Sequence, residues 1–283
     1  MSTTLASKNE SIQDAICVLV STEDCELPVL PEVAAQLLKL TSDVDCEASD
    51  IVALIKRDQS LTSHLLRTAN SVRYSTGVTV SSIQQAVARL GLLCVREIVV
   101  LISCQCRVFD VPGFERQVRQ SFRRSLATAA FAQEIARVRR MNVEEAFLSG
   151  LLHDVGRPIL FQALADRRRR FGLVANDQEI CAAADEHRIA LSSRLIKSWD
   201  LSARVAEAVQ FQLSAQDAPS CQLLAATLNL AIYLADCSLD PACGQPDALD
   251  PHPMLAVLSL YPEQFSSIIR NRDEILEWVD STT

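Results

Sequence analysis

The stretch from Leu92 to about Arg107 constrains the fold more than any other. It follows Gly91, precedes the break Asp110-Val111-Pro112-Gly113, and reads as a helix that is apolar nearly all round. A helix without a polar face belongs inside a protein, so other elements must surround it. The chain has the means: 283 residues, 49% of them hydrophobic, are ample for one large core or two packed subdomains. Only 7 Gly and 5% aromatic residues, with many Leu, Ala and Arg, point to helices as those partners. The expected class is all-α.

The partners can be placed from apolar spacing and caps. Ile12, Ala15, Ile16 and Leu19 give Ser11–Val20 the rhythm of a short lead-in helix. Pro28 forces an extended approach, and Pro31 suits the first turn of a helix from about Pro31 to Leu40, with Val33, Leu37, Leu38 and Leu40 inward. Ser49 or Asp50 can cap a helix carrying Ile51, Leu54 and Ile55. After a break at Arg57-Asp58-Gln59, Ser60 can cap one carrying Leu61, Leu65, Leu66 and Ala69. Ser81 or Ser82 can cap the next, which Gly91 stops. Phe114 to Val138 reads as one or two helices, and Asn142 caps a further one. Glu186-His187 opens another helix, followed by one with Val205, Ala208 and Val209. Leu223 to Leu234 is strongly apolar. Pro241, Pro246, Pro251 and Pro253 mark a loop, and a helix from about Glu263 to Val279 closes the chain.

Composition also narrows the functional classes. No apolar run approaches the ~18 residues of a membrane span, and Met1–Ser11 lacks the order of a signal peptide, so a cytoplasmic protein is expected. Ten scattered Cys contain no CxxC and read as small buried hydrophobes. The net charge of −8 argues against a general nucleic-acid binder. Yet Arg107 to Arg170 holds 13 Arg against 7 acidic residues, and the remainder 14 basic against 28 acidic. The run Arg167-Arg168-Arg169-Arg170 suits a solvated helix face near a C-terminus, with an anion or partner patch as the alternative.

Within the basic middle stands the one His-Asp pair, His153-Asp154, after an apolar run and before Gly156 and Pro158. An imidazole and a carboxylate can give one nitrogen and one oxygen to a metal ion. Neighbours on a helix diverge by about 100°, so both reach one ion only at a helix end, which Gly156 and Pro158 would supply. The plainer alternative is a capped core helix whose His and Asp bond the backbone.

In order and spacing, Leu27-Pro-x-Leu-Pro-Glu, Asp58-x-x-Leu61, Leu66-x-x-Ala69-Asn70-Ser71, Ser82-Ile83-x-x-Ala86-Val87 and Leu90-Gly91 resemble the HDOD family. These bacterial modules are related to the HD superfamily of metal-dependent phosphohydrolases. The resemblance covers roughly residues 27–215 and implies an HD-domain-like helical bundle with a leading N-terminal helical subdomain. The implied layout is a lead-in at 1–26, a leading part at 27–110, an HD-like part at 111–215 and a helical extension at 216–283.

The resemblance also implies a pocket that departs from an active one. Arg124 stands where the family usually has His, and Phe211-Gln212-Leu213 lacks a later His. His153, Asp154, His187 and Asp236 match other site positions and are the ligands if a divalent metal binds. Arg124 would repel that metal and is expected to pair with Asp154 or Asp236 instead. Arg123, Arg124 and Arg157 form a candidate anion site.

Three functions follow as expectations. The leading one, implied by the resemblance, is a non-catalytic signalling module that needs no cofactor and binds a protein partner in trans; self-association is compatible with it. The second is a metal-dependent phosphohydrolase. The third is DNA binding by residues 49–72, which carry few basic residues.

Overall fold

The computed structural model describes residues 12, 15, 16, 32–41, 47–71, 74, 77–108, 111–240, 242 and 252–282. Among them every regular element is a helix. Of the lead-in helix, Ile12, Ala15 and Ile16 are described and helical, with Ala15 and Ile16 buried in the larger core. The Leu27-Pro28 approach and most of the proline loop lie outside the described residues.

The leading part comprises α1 (Glu32–Thr41), α2 (Ala48–Ile55), α3 (Gln59–Ala69) and α4 (Ile83–Val108). Leu37, Ile51, Ile55, Leu65, Ile83, Val87, Val95 and Val99 form its core. The motifs have local mechanisms here. Asp58 Oδ1 accepts the Leu61 N–H at 3.0 Å and caps α3. Asn70 binds both Val80 N (2.7 Å) and Val80 O (2.9 Å), stitching the α3–α4 loop. Ser82 Oγ accepts from Gln85 N at 3.2 Å, and Gly91 interrupts α4 with φ +77°. Two expected caps move: α2 starts after Glu47, whose carboxylate receives Ser49 Oγ–H, and α3 is capped by Asp58 rather than Ser60. In each case an acidic residue before the expected cap takes the N-cap position, and of the two Asp58 accepts a helix N–H.

Val95, Ile98 and Val99 are buried on one face and Leu92 and Cys94 are half-buried, and α4 also touches α6 (Val143–Leu152) and α7 (Gly156–Phe171). It thus joins the leading part to the second core. That core is built by α5 (Glu115–Arg139), α6, α7, α8 (Asp177–Ser198), α9 (Ala203–Gln210) and α10 (Gln222–Leu239). Helices α11 (Met254–Val257), α12 (Pro262–Arg270) and α13 (Arg272–Thr282) complete it. Phe114 stacks on Phe161 with centroids 4.9 Å apart, fixing the start of α5 against α7.

Three expectations about elements are corrected. Asn176, in a reciprocal capping box with Glu179, starts α8 at Asp177, so Glu186-His187 lies mid-helix. The C-terminal helix is broken, because Asn271 caps α12 before α13 begins. Helix α10 does reach the length and apolarity of a span, but 61% of it is buried within the protein, as in a core helix. The arginine run ends α7, where Arg168 pairs with Asp177 at 2.9 Å and Arg169 with Asp166. Cys221 and Cys237 are buried, while Cys94 and Cys181 are half-buried.

Candidate functional site

Two glycines sink the His-Asp pair into the core. A Cβ on Gly150 would lie 2.5 Å from Ala129 Cα, so α6 rests directly on α5. A Cβ on Gly156 would lie 2.4 Å from Arg188 O, and the Gly156 N–H donates to Ser192 Oγ at 2.8 Å, so α7 starts directly on α8. Between these approaches α6 ends at Leu152, and both His153 and Asp154 have 0% exposure. Gly156 and Pro158 therefore open α7 rather than merely closing α6. Pro158 falls in the first turn, where its missing N–H has no helical partner anyway.

The proton on His153 can be located. Nδ1 is 2.7 Å from Gly150 O, which only accepts, so Nδ1 carries the hydrogen. Nε2 then turns its lone pair to Arg124 Nη1, 3.2 Å away, which only donates. Burial, reinforced by the Arg124 charge, lowers the His153 pKa to about 4, so the ring is neutral near pH 7. The same guanidinium grips Asp236 of α10 with both ends: Nε to Oδ1 at 2.6 Å and Nη2 to Oδ2 at 2.7 Å. Burial works against the Arg124 charge, but the bonds to Asp236 outweigh it and raise its pKa.

Asp154 faces other partners. Ser121 Oγ donates to Oδ2 at 2.6 Å, Arg188 Nη1 donates to Oδ1 at 2.9 Å, and Arg157 Nε stands 3.5 Å from Oδ2. Burial alone would raise its pKa. His153, Arg157, Arg188 and the Ser121 hydroxyl outweigh burial and hold the carboxyl below its usual range. Arg157 also reaches Asp185 at 2.5 Å. Beneath the pair, Gln212 is fully buried and its amide donates to His153 O (3.3 Å) and Val209 O (3.0 Å).

Arg124, His153 and Asp236 are therefore brought together, with Asp154 adjacent but committed to a separate cation cluster. His187 does not join them. It is half-exposed and its ionic neighbour is Glu186, at 3.9 Å, whereas Arg188 enters the pocket. Nor do the three candidate anion-binding arginines converge: Arg123 pairs with Asp280, Arg124 with Asp236, and Arg157 with Asp154 and Asp185. Ser121, Arg188 and Asp185 complete the site, with Gln212 from the stretch that lacks the later His. Arg188 was within reach of the sequence, one residue from His187, given the phase of α8.

The resemblance to the HD superfamily would imply a metal, and the donor set does not fit one. His153 Nε2, both oxygens of Asp236 and both of Asp154 are engaged by hydrogen-bond donors or cations. Among the described residues no group of three His, Cys, Asp or Glu side chains is arranged to hold a metal ion.

The fold is that of an all-helical, HD-domain-like bundle. More narrowly, the chain belongs to the HDOD domain family, whose pattern matches residues 27–215. A crystal structure from Shewanella amazonensis SB2B, provisionally named a phosphohydrolase, superposes with a TM-score of 0.71 at 22% identity, covering 95% of this chain and 98% of that one. An HDOD domain protein of unknown function from Geobacter sulfurreducens gives a TM-score of 0.66 at 21% identity, with 95% and 97% covered. An uncharacterized protein of Treponema pallidum (strain Nichols) is 24% identical over 202 residues, 69% of this chain. The match spans 39% of that protein's length.

Proposed function

We propose that the chain is a non-catalytic signal-transduction module that works by protein–protein contact, with a signalling protein in trans as its partner. Its pocket is a degenerate HD site in which Arg124 takes the place of the metal cation. One observation carries this reading: the Arg124 guanidinium joins the His153 Nε2 lone pair and the Asp236 carboxylate, the atoms a cation would need. A side chain that cannot lose its charge then holds α5, α6 and α10 together without any ligand. The test is hydrolysis of p-nitrophenyl phosphate and bis(p-nitrophenyl) phosphate with added Mn²⁺ or Zn²⁺. The reading requires no metal-dependent turnover. Turnover that disappears in His153→Ala and Asp236→Ala variants would replace it.

The second reading is a metal-dependent phosphohydrolase acting on a phosphomonoester, phosphodiester or nucleotide. It is favoured by the neutral, Nδ1-protonated state of His153, which leaves Nε2 unprotonated as a metal ligand must be. It requires Arg124 to swing out of the pocket first.

A further inference from the structure

Two solvent faces of opposite charge meet end to end on antiparallel helices, Asn271 at the start of α13 reaching Glu134 and Asp280 near its end reaching Arg123. On α5, Arg116, Arg119 and Arg123 recur at helical spacing on the side opposite buried Val118, Ser121 and Ser125. On α13, Asp273, Glu277 and Asp280 recur opposite buried Ile275, Trp278 and Val279. The two helices pack together, and the faces meet where Arg123 Nη2 lies 2.5 Å from Asp280 Oδ1.

The helix dipole does not set most of these positions: Arg119 and Arg123 lie beyond the first turn of α5 and Glu277 in the middle of α13, where the dipole has little effect. Arg116, Arg119, Asp273 and Glu277 are exposed. A phosphate-rich partner would be drawn to α5 and repelled by the acidic face that follows it on α13, which disfavours nucleic acid.

The geometry points to a second copy of this chain as the occupant. A basic and an acidic face set end to end become self-complementary under a two-fold rotation: α5 of one protomer meets α13 of the other, twice over. This goes beyond the proposed function, because neither face includes a pocket residue. Exposed ion pairs are weak and screened by salt, so the dimer is salt-sensitive.

The test is sedimentation velocity of the full chain, with Arg119→Glu and Glu277→Arg variants. The native chain should dimerise at about 0.1 M salt and dissociate at about 1 M, where the screening length falls to about 3 Å. Each variant alone sets like charges against each other and should be monomeric. An equimolar mixture restores opposite charges at both contacts and should dimerise as the native chain does. A native chain that is monomeric at low salt overturns the inference. So does a dimer that survives either reversal, or a mixture that stays monomeric.

Discussion

Arg124 Nη1 stands 3.2 Å from His153 Nε2, and the direction of the bond between them is fixed by Gly150 O on the far side of the ring. The histidine therefore accepts from a permanent cation, while Asp236 closes the guanidinium from α10. Asp236 lies beyond residues 27–215, so the pocket depends on chain outside the family match.

The His153–Arg124 contact predicts a pH dependence. The His153 pKa is about 4 in the folded protein, against an ordinary 6.5. Between these values the unfolded chain binds more protons, so stability falls as pH drops from 6.5 toward 4. The loss amounts to about 3 kcal/mol at most, at about 1.4 kcal/mol per pKa unit. Urea denaturation across this range should show the slope in the native protein and a flatter one in His153→Asn. Parallel profiles would mean that His153 is not the titrating group.

Asp154 should be the costliest polar residue to change. It is fully buried between Arg188, Arg157 and Ser121. Asp154→Ala leaves the half-buried Arg188 without its counter-ion, while Arg157 keeps Asp185; breaking a buried pair costs up to about 3–5 kcal/mol. Asp154→Asn should cost nearly as much, because an acceptor remains but the charge does not. Chemical denaturation reads both, and an Asn variant within about 0.5 kcal/mol of native, as for a surface change, contradicts the cluster.

Gly150→Ala should separate α5 from α6. The added carbon meets backbone, Ala129 Cα at 2.5 Å and Ala129 N at 2.6 Å, and neither can rotate away. Overpacking of this kind costs about 1–3 kcal/mol or more. A lowered melting temperature is expected, and an unchanged one would mean that the helices are not in backbone contact.

How much of this was legible in the sequence depended on the range of the forces. Asn142 was readable as a cap because the bond it makes, to Glu145 N at 3.0 Å, spans three residues. The pairing of Arg124 with Asp236 was one of two expected arrangements, reached through family spacing rather than local pattern. The assignment of His187 failed because α8 runs unbroken from Asp177, which turns residue 187 aside and brings Arg188 to Asp154. Gly156 has the local signature of a terminator, whereas its role comes from Arg188 O of another helix, which no local pattern encodes. Ser121 is invisible for the same reason: its role is a bond across 33 residues.

The most direct test of the central claim is the metal content, by elemental analysis, of the native protein and an Arg124→His variant purified without chelator. A native protein without metal and a variant that gains one bound divalent ion would show that the guanidinium holds the place of a cation. About one metal per native chain would contradict the account and direct attention to phosphoester substrates.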